Sequence, residues 1–325
     1  MCSRVLFFSL IAAVCLIPAA AFAHCGSASC PIDVEARWEH RRFSLDLTQQ
    51  YLDQKQPRAG TRDVPVGFIP SMEDEVRTIN RITQARATWR PTGAWIVTGA
   101  LPYVNRTHEH IMNESGMPPM LMIWNYEGFG DAEVLASRNV WIGSQGDAEI
   151  GLSAGVKLPT GRTHVPAVGG EQPEPSARPG TGSWDGTLGA TARWLVSAPI
   201  PGGGRGSMPL RLGVLGRWNG EGTEDYRVGN EVQAHLSGDY PVTSSLELLL
   251  QGNVRSKGKD SVGGSTVESG NTGGTWAYVT PGLRLSVGGQ ARIYGLVQIP
   301  VYQRVNGIQI VSDYNVYMGV ARAIF

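Results

Sequence analysis

Past its first two dozen residues the chain has no apolar run of the roughly 18 residues that a spanning helix requires. A helical membrane protein is therefore excluded, and the chain either stays in water or crosses a bilayer as strands. Charge of one sign is lacking too: 28 basic residues face 28 acidic ones, which argues against a nucleic-acid partner or a polybasic membrane anchor. Cysteine is scarce, at four. Two of these, Cys2 and Cys15, fall within the first 23 residues, and no C-x-x-C-H haem attachment pattern exists. What the chain has in excess is glycine, 42 residues, which suits many strands and turns and is poor for long helices.

The N-terminus carries Arg4, the apolar run VLFFSLIAAVCLI and then Ala21-Phe22-Ala23. This order is expected of a secretory signal peptide over 1–23, cut before His24. Cys25 and Cys30 would then sit in an oxidising compartment, where a small disulfide loop is expected. Residues 24–40 show no strand pattern and are read as a short periplasmic segment. No composition break divides 41–325, so it is read as one domain.

Its centre is the stretch 128–161. Ala148, Ile150, Leu152, Ala154, Val156 and Leu158 alternate strictly with Glu149, Gly151, Ser153, Gly155 and Lys157, a strand with one apolar and one polar face. Similar segments recur at about Phe43 to Tyr51, Thr78 to Arg90, Trp95 to Tyr103, Ala132 to Trp141, Trp184 to Val196, Leu210 to Trp218, Tyr226 to Tyr240, Leu246 to Asn253, Ala277 to Leu285, Ile293 to Ile299 and Tyr314 to Phe325. Four connections are short (PTGA, GSQGD, PVT, GGQ), and one, from Ala198 to Met208, is longer. Residues 52–74, 105–129 and 159–183 read as long polar loops. Short turns on one side and long loops on the other indicate a transmembrane antiparallel β-barrel of about 12 strands, within 10–14, with periplasmic turns. Trp89, Trp95, Trp141, Trp218, Tyr240 and Trp276 are expected in its aromatic girdles. The strand ending at Phe325 is expected to address the barrel-assembly machinery, and lipid and lipopolysaccharide to surround the wall. Localisation is the outer membrane of a Gram-negative cell.

Gly128-x-Gly130-Asp131, Gly155-Val156-Lys157-Leu158-Pro159-Thr160-Gly161, Leu101-Pro102-Tyr103-Val104-Asn105-Arg106 and the cysteine-containing start resemble the outer-membrane barrels grouped with the phenol meta-pathway transporters. The resemblance is strongest from the third strand to the sixth. It implies an outer-membrane channel or transporter for small organic compounds.

Strand parity assigns the lumen. Arg86, Arg90, Lys157, Arg193, Arg211, Arg217, Arg227, Arg284, Arg292 and Arg322 are expected there with Glu231 and Glu247. An Arg/Lys-rich lining favours anions, whereas pairing across a narrow barrel would fill the interior. The function expected is therefore passive passage of small solutes, anionic or aromatic ones included. The alternative is an occluded barrel whose loops bind metal or a partner. His108, His110 and Met112 are the metal candidates, since imidazole and thioether suit copper. His235-Leu236-Ser237 places a nucleophile and a base on one strand face, but no orienting third group is evident. The chain is read as a non-enzyme that needs no cofactor.

Overall fold

The computed structural model describes residues 41–68, 73–113, 116–165, 172–201, 203–266 and 270–324. The leader and its cleavage site, Cys25, Cys30, the 24–40 segment and Phe325 lie outside the described residues.

The wall is built from β1 (Phe43–Ala59), β2 (Glu73–Trp89), β3 (Trp95–Met112), β4 (Met120–Phe129), β5 (Glu133–Ile142), β6 (Ala148–Lys157), β7 (Asp185–Pro199), β8 (Arg205–Asn219), β9 (Glu231–Pro241), β10 (Leu246–Lys257), β11 (Gly274–Val287), β12 (Ala291–Val305) and β13 (Ile308–Ala323). Every pairing is antiparallel, and β13 pairs with β1 from Ser44↔Ala323 to Ala59↔Ile308, which closes the sheet. β4 and β5 follow one another down the same neighbour, β3, so the closed barrel has 12 places. Closure leaves no long edge in the membrane zone, where unpaired backbone could find no water.

The alternation sets which way each strand faces. On β6, Ile150 and Leu152 are exposed while Gly151 and Lys157 are buried; on β9, Val232 and Leu236 are exposed while Glu231, Gln233 and Ser237 are buried. Apolar side chains thus point away from the enclosed interior and polar ones into it. This is the reverse of a water-soluble sheet and the pattern of a lipid-facing barrel. Exposed Trp89, Trp95 and Trp141 ring the short-turn end, with Phe129, Trp184 and Trp218 at the other. Trp276 was expected in a girdle but is buried in the interior, its ring 5.5 Å from the Arg255 guanidinium.

Two of the expected long loops are largely strand. β1 runs to Ala59 and β2 begins at Glu73, and 105–129 is a hairpin in which β3 pairs with β4 from Tyr103↔Phe129 to Met112↔Met120. The cause lies in the outward residues. Beyond the level of Gln49, Thr83 and Tyr103 they become polar and pair across strands: Thr83 donates to Gln49 (2.6 Å), Asn105 to Glu127 (2.8 Å), Thr107 to Asn125 (2.9 Å), and Arg77 to Asp53 (2.8 Å). The wall here stands above the bilayer, so pairing continues without apolar alternation. The Asp53 carboxylate is held below its usual range by Arg77. The turn after β7 spans only 200–204, shorter than the sequence implied, because Pro199 and Arg205 still pair.

Candidate functional site: the lumen and its extracellular closure

At Gly130 the wall changes character. β6 pairs with β5 only up to Lys157↔Glu133, and the chain after it turns inward instead of climbing along β4. Backbones cross tightly here: a Cβ on Gly161 would lie 2.6 Å from the Gly130 carbonyl carbon and 2.7 Å from the Gly180 Cα. Only hydrogen fits between those segments. The inward turn is fastened by charge. Lys157 Nζ lies 3.0 Å from Asp131 and 2.7 Å from Asp185, donates to Ser183 at 3.1 Å and also bonds the Thr181 hydroxyl. Asp131 accepts from the backbone N–H groups of Gly161 and Thr181, both at 2.9 Å. Lys157, Asp131, Asp185 and Ser183 are all buried, so the cluster is shielded from water and its charges depend on one another.

The fastened segment then packs on the inner face of the projecting hairpin. Val165 is buried against Trp124 and Tyr126. Arg178 donates to the carbonyl of Pro173 (2.7 Å) and pairs with Glu224 (2.7 Å), while Arg106 donates to Asn80 (2.5 Å) and to the Ala177 carbonyl. Ser176 to Pro179 are thereby seated in the barrel mouth.

Below them lies a cavity of about 470 Å³, lined on one side by β2, β3 and β5 and on the other by β7, β8 and β9. That volume is in the range of small-ligand sites. Its charged lining is mostly paired: Arg217 with Glu133 (2.8 Å), Arg255 with Glu231 (2.9 Å) and Arg211 with Asp239 (2.9 Å). Arg86 differs. It faces the cavity and makes no hydrogen bond or ion pair among the described residues, because its cross-strand neighbour Asp46 is taken by the Tyr294 hydroxyl (2.8 Å) and by Thr48 (2.7 Å). The remaining side of the interior is filled. Leu249, Tyr294, Leu296 and Tyr317 pack together there, and Arg284 bridges Asp239 (2.8 Å) and Glu247 (3.0 Å).

Of the residues expected in the lumen, Arg86, Lys157, Arg193, Arg211, Arg217, Glu231, Glu247, Arg284 and Arg292 lie on inward faces, and Arg193 pairs with Glu149. Arg90 follows β2 in the turn at the short-turn end. Two expectations are corrected. Arg227 lies outside the wall, in a small sheet pairing Tyr226–Arg227 with Ser261–Val262, and donates to the Asn219 carbonyl (2.9 Å). The chain leaves the barrel between Asn219 and Glu231, so its parity cannot be carried back to Arg227. Arg322 is exposed on the outer face, because Tyr317, Ala321 and Ala323 take the buried inner one. Gly319 shares that inner face, and a Cβ there would strike the Tyr294 ring.

His108 and His110 lie on the inner face of β3 above the membrane, not in a loop. Their rings stack at 5.3 Å, and His108 shares a 2.7 Å hydrogen bond with Thr78. Among the described residues no group of three or more His, Cys, Asp or Glu is placed to hold a metal ion. Burial, His110 and Arg106 hold the His108 imidazole down at about 4. The fold therefore favours the neutral ring. Its stabilising contribution is complete above the unfolded value of about 6.5 and is lost as pH falls towards 4. Protection against hydrogen exchange in the β3–β4 hairpin, taken relative to the intrinsic exchange rate at each pH, is expected to fall between pH 7 and pH 4.5, and His108→Gln is expected to flatten that dependence. His235 and Ser237 both face the interior, not lipid.

Asp131 and Arg106 stood only as motif positions without a role, and Asp239, Tyr294 and Arg178 were not singled out from sequence. Asp239 could have been, by continuing the inward parity of β9. Arg178 could not, since its loop has no period.

Among solved structures, an outer membrane channel from Pseudomonas putida F1 superposes with a TM-score of 0.62 at 12% identity, covering 87% of this chain and 96% of that one. The transport unit of the autotransporter AIDA-I from Escherichia coli gives a TM-score of 0.52 at 12% identity, covering 91% and 93%. No protein-family model and no curated protein sequence matches the chain. Likeness at this identity establishes the fold: the chain is an all-β outer-membrane-type barrel.

Proposed function

We propose that this protein is an outer-membrane channel that passes small solutes by passive diffusion, with residues 158–165 and 172–184 as its extracellular closure. The observation that carries the reading is the cavity of about 470 Å³ beneath Ser176 to Pro179, lined by polar and apolar side chains together. A purely structural barrel interior would be packed through, as the β10–β13 side is. The half-buried Arg86, without a carboxylate partner among the described residues, supports an anion preference in the cavity. The grouping with phenol meta-pathway transporters rests on the sequence motifs, whose Asp131, Lys157 and Gly161 form the fastening.

A second reading, an occluded barrel that works through its outer surface, is favoured by the Leu249/Tyr294/Leu296/Tyr317 cluster and the ion pairs beside it. Liposome swelling separates the two. Swelling in small organic anions, faster when Ser176 to Pro179 are unfastened, supports the channel. Folded proteoliposomes that never swell, fastened or not, support occlusion.

A further inference from the structure

We infer that the cavity holds a specific site for small organic carboxylates with an apolar body, with Arg86 as its anion-binding residue. The inference rests on the channel reading only in placing that site on a transport route; binding itself can be measured without transport.

The register on β2 and β3 lays the site out. Arg86 lies opposite Ala100, Gln84 opposite Pro102 and Ile82 opposite Val104, all on the inward face. On β5, Leu135 lies opposite Thr98. The column of four residue steps from Arg86 to Ile82 spans about 13 Å. At its foot is a guanidinium without a carboxylate partner among the described residues. One step up is Gln84, which accepts a long hydrogen bond from Gln50 (3.5 Å). Above and beside it the wall turns apolar, with Pro102, Ile82, Val104 and Leu135. Apolar side chains facing the cavity beside an unpaired guanidinium suit an anion with an apolar body better than water or simple salt.

A carboxylate on Arg86 would take the two-point grip that guanidinium offers. Its body, one ring or a short alkyl chain, would lie along Ile82 and Val104 beneath the seated Ser176 to Pro179. Asp46, the nearest cross-strand carboxylate, is held by Tyr294 and Thr48, so it does not occupy Arg86. Glu133, beside Ala100, is paired with Arg217. A dianion of the same size is disfavoured, because among the described residues no second cation faces the column between Arg86 and Val104.

The test is calorimetric titration of the refolded full chain in detergent with benzoate, benzamide and acetate. Benzoate is expected to bind at least about tenfold more tightly than its neutral isostere benzamide, and more tightly than acetate. Arg86→Gln should remove the preference for benzoate over benzamide, and Arg86→Lys should restore part of it. A wild-type response to benzoate in Arg86→Gln, with the barrel folded as judged by heat-modifiable gel migration, would overturn the site. Equal binding of acetate and benzoate would overturn the apolar-body class. Absence of swelling with benzoate binding intact would refute transport and leave the site standing.

Discussion

Replacing Lys157 with Met is expected to release the extracellular closure while leaving the barrel folded. Lys157 is the one cation among Asp131, Asp185, Thr181 and Ser183, and its ammonium lies within 3.0 Å of both carboxylates. Removing one partner of a buried ion pair leaves the other charges without compensation, at a cost of about 3–5 kcal/mol. That cost falls on residues 158–165 and 172–184 more than on the strands. Lys157 stands at the last pair of β6 with β5, and the backbone pairing below it does not depend on its side chain. The segment should become sensitive to protease near Arg162 and Arg178, and swelling rates should rise. Asp131→Asn is expected to act in the same direction but less strongly, since Asp185 still holds Lys157. Resistance of Lys157→Met to protease, with unchanged permeability, would mean that the glycine crossing alone seats the segment.

Leu152→Arg and Ser153→Arg, adjacent on β6, are expected to fail in different ways. Leu152 is 53% exposed at mid-strand and is read as lipid-facing, whereas Ser153 lines the cavity. A lipid-facing Arg near the bilayer centre costs about 2–4 kcal/mol. Leu152→Arg should therefore lower the urea midpoint of barrel unfolding in bilayers markedly. Ser153→Arg should leave that midpoint nearly unchanged and raise the preference for anions instead. Equal destabilisation by the two would contradict the assignment of faces. Measuring both variants in the same vesicles removes the lipid as a variable.

These contrasts depend on a feature the sequence displays directly. Inside the bilayer, lipid enforces apolar residues at every second position, and strands such as β6 and β9 are legible from their period alone. Above the bilayer that constraint ends. The Asn105/Glu127 and Thr107/Asn125 pairs look like loop sequence although the backbone remains in register. Parity also misleads where small residues replace polar ones. Ala321 and Ala323 face inward because the inner wall beside Tyr294 has little room, which put Arg322 on the wrong side in the sequence reading.

The candidate site was half legible. The basic residues of β6 to β9 could be assigned to the interior one by one, yet their neutralisation depends on partners from neighbouring strands. Arg211 and Arg284 meet on Asp239, which no single-strand pattern reveals. For the same reason Arg86 could not be distinguished from the other lumenal arginines in the sequence. Its freedom follows from Tyr294, some 200 residues away in the chain, occupying Asp46. The Gly-Asp and Lys-Leu-Pro-Thr-Gly motifs were visible as strand boundaries; their convergence on one buried cluster was not.

The most direct test of the channel account is single-channel recording of the refolded protein in a planar bilayer under a salt gradient, with wild type and Arg86→Gln compared. The account predicts discrete conductance steps and a reversal potential displaced towards that of the anion, with the displacement reduced in Arg86→Gln. A folded, inserted barrel that shows no steps, in wild type and in Lys157→Met alike, would contradict it.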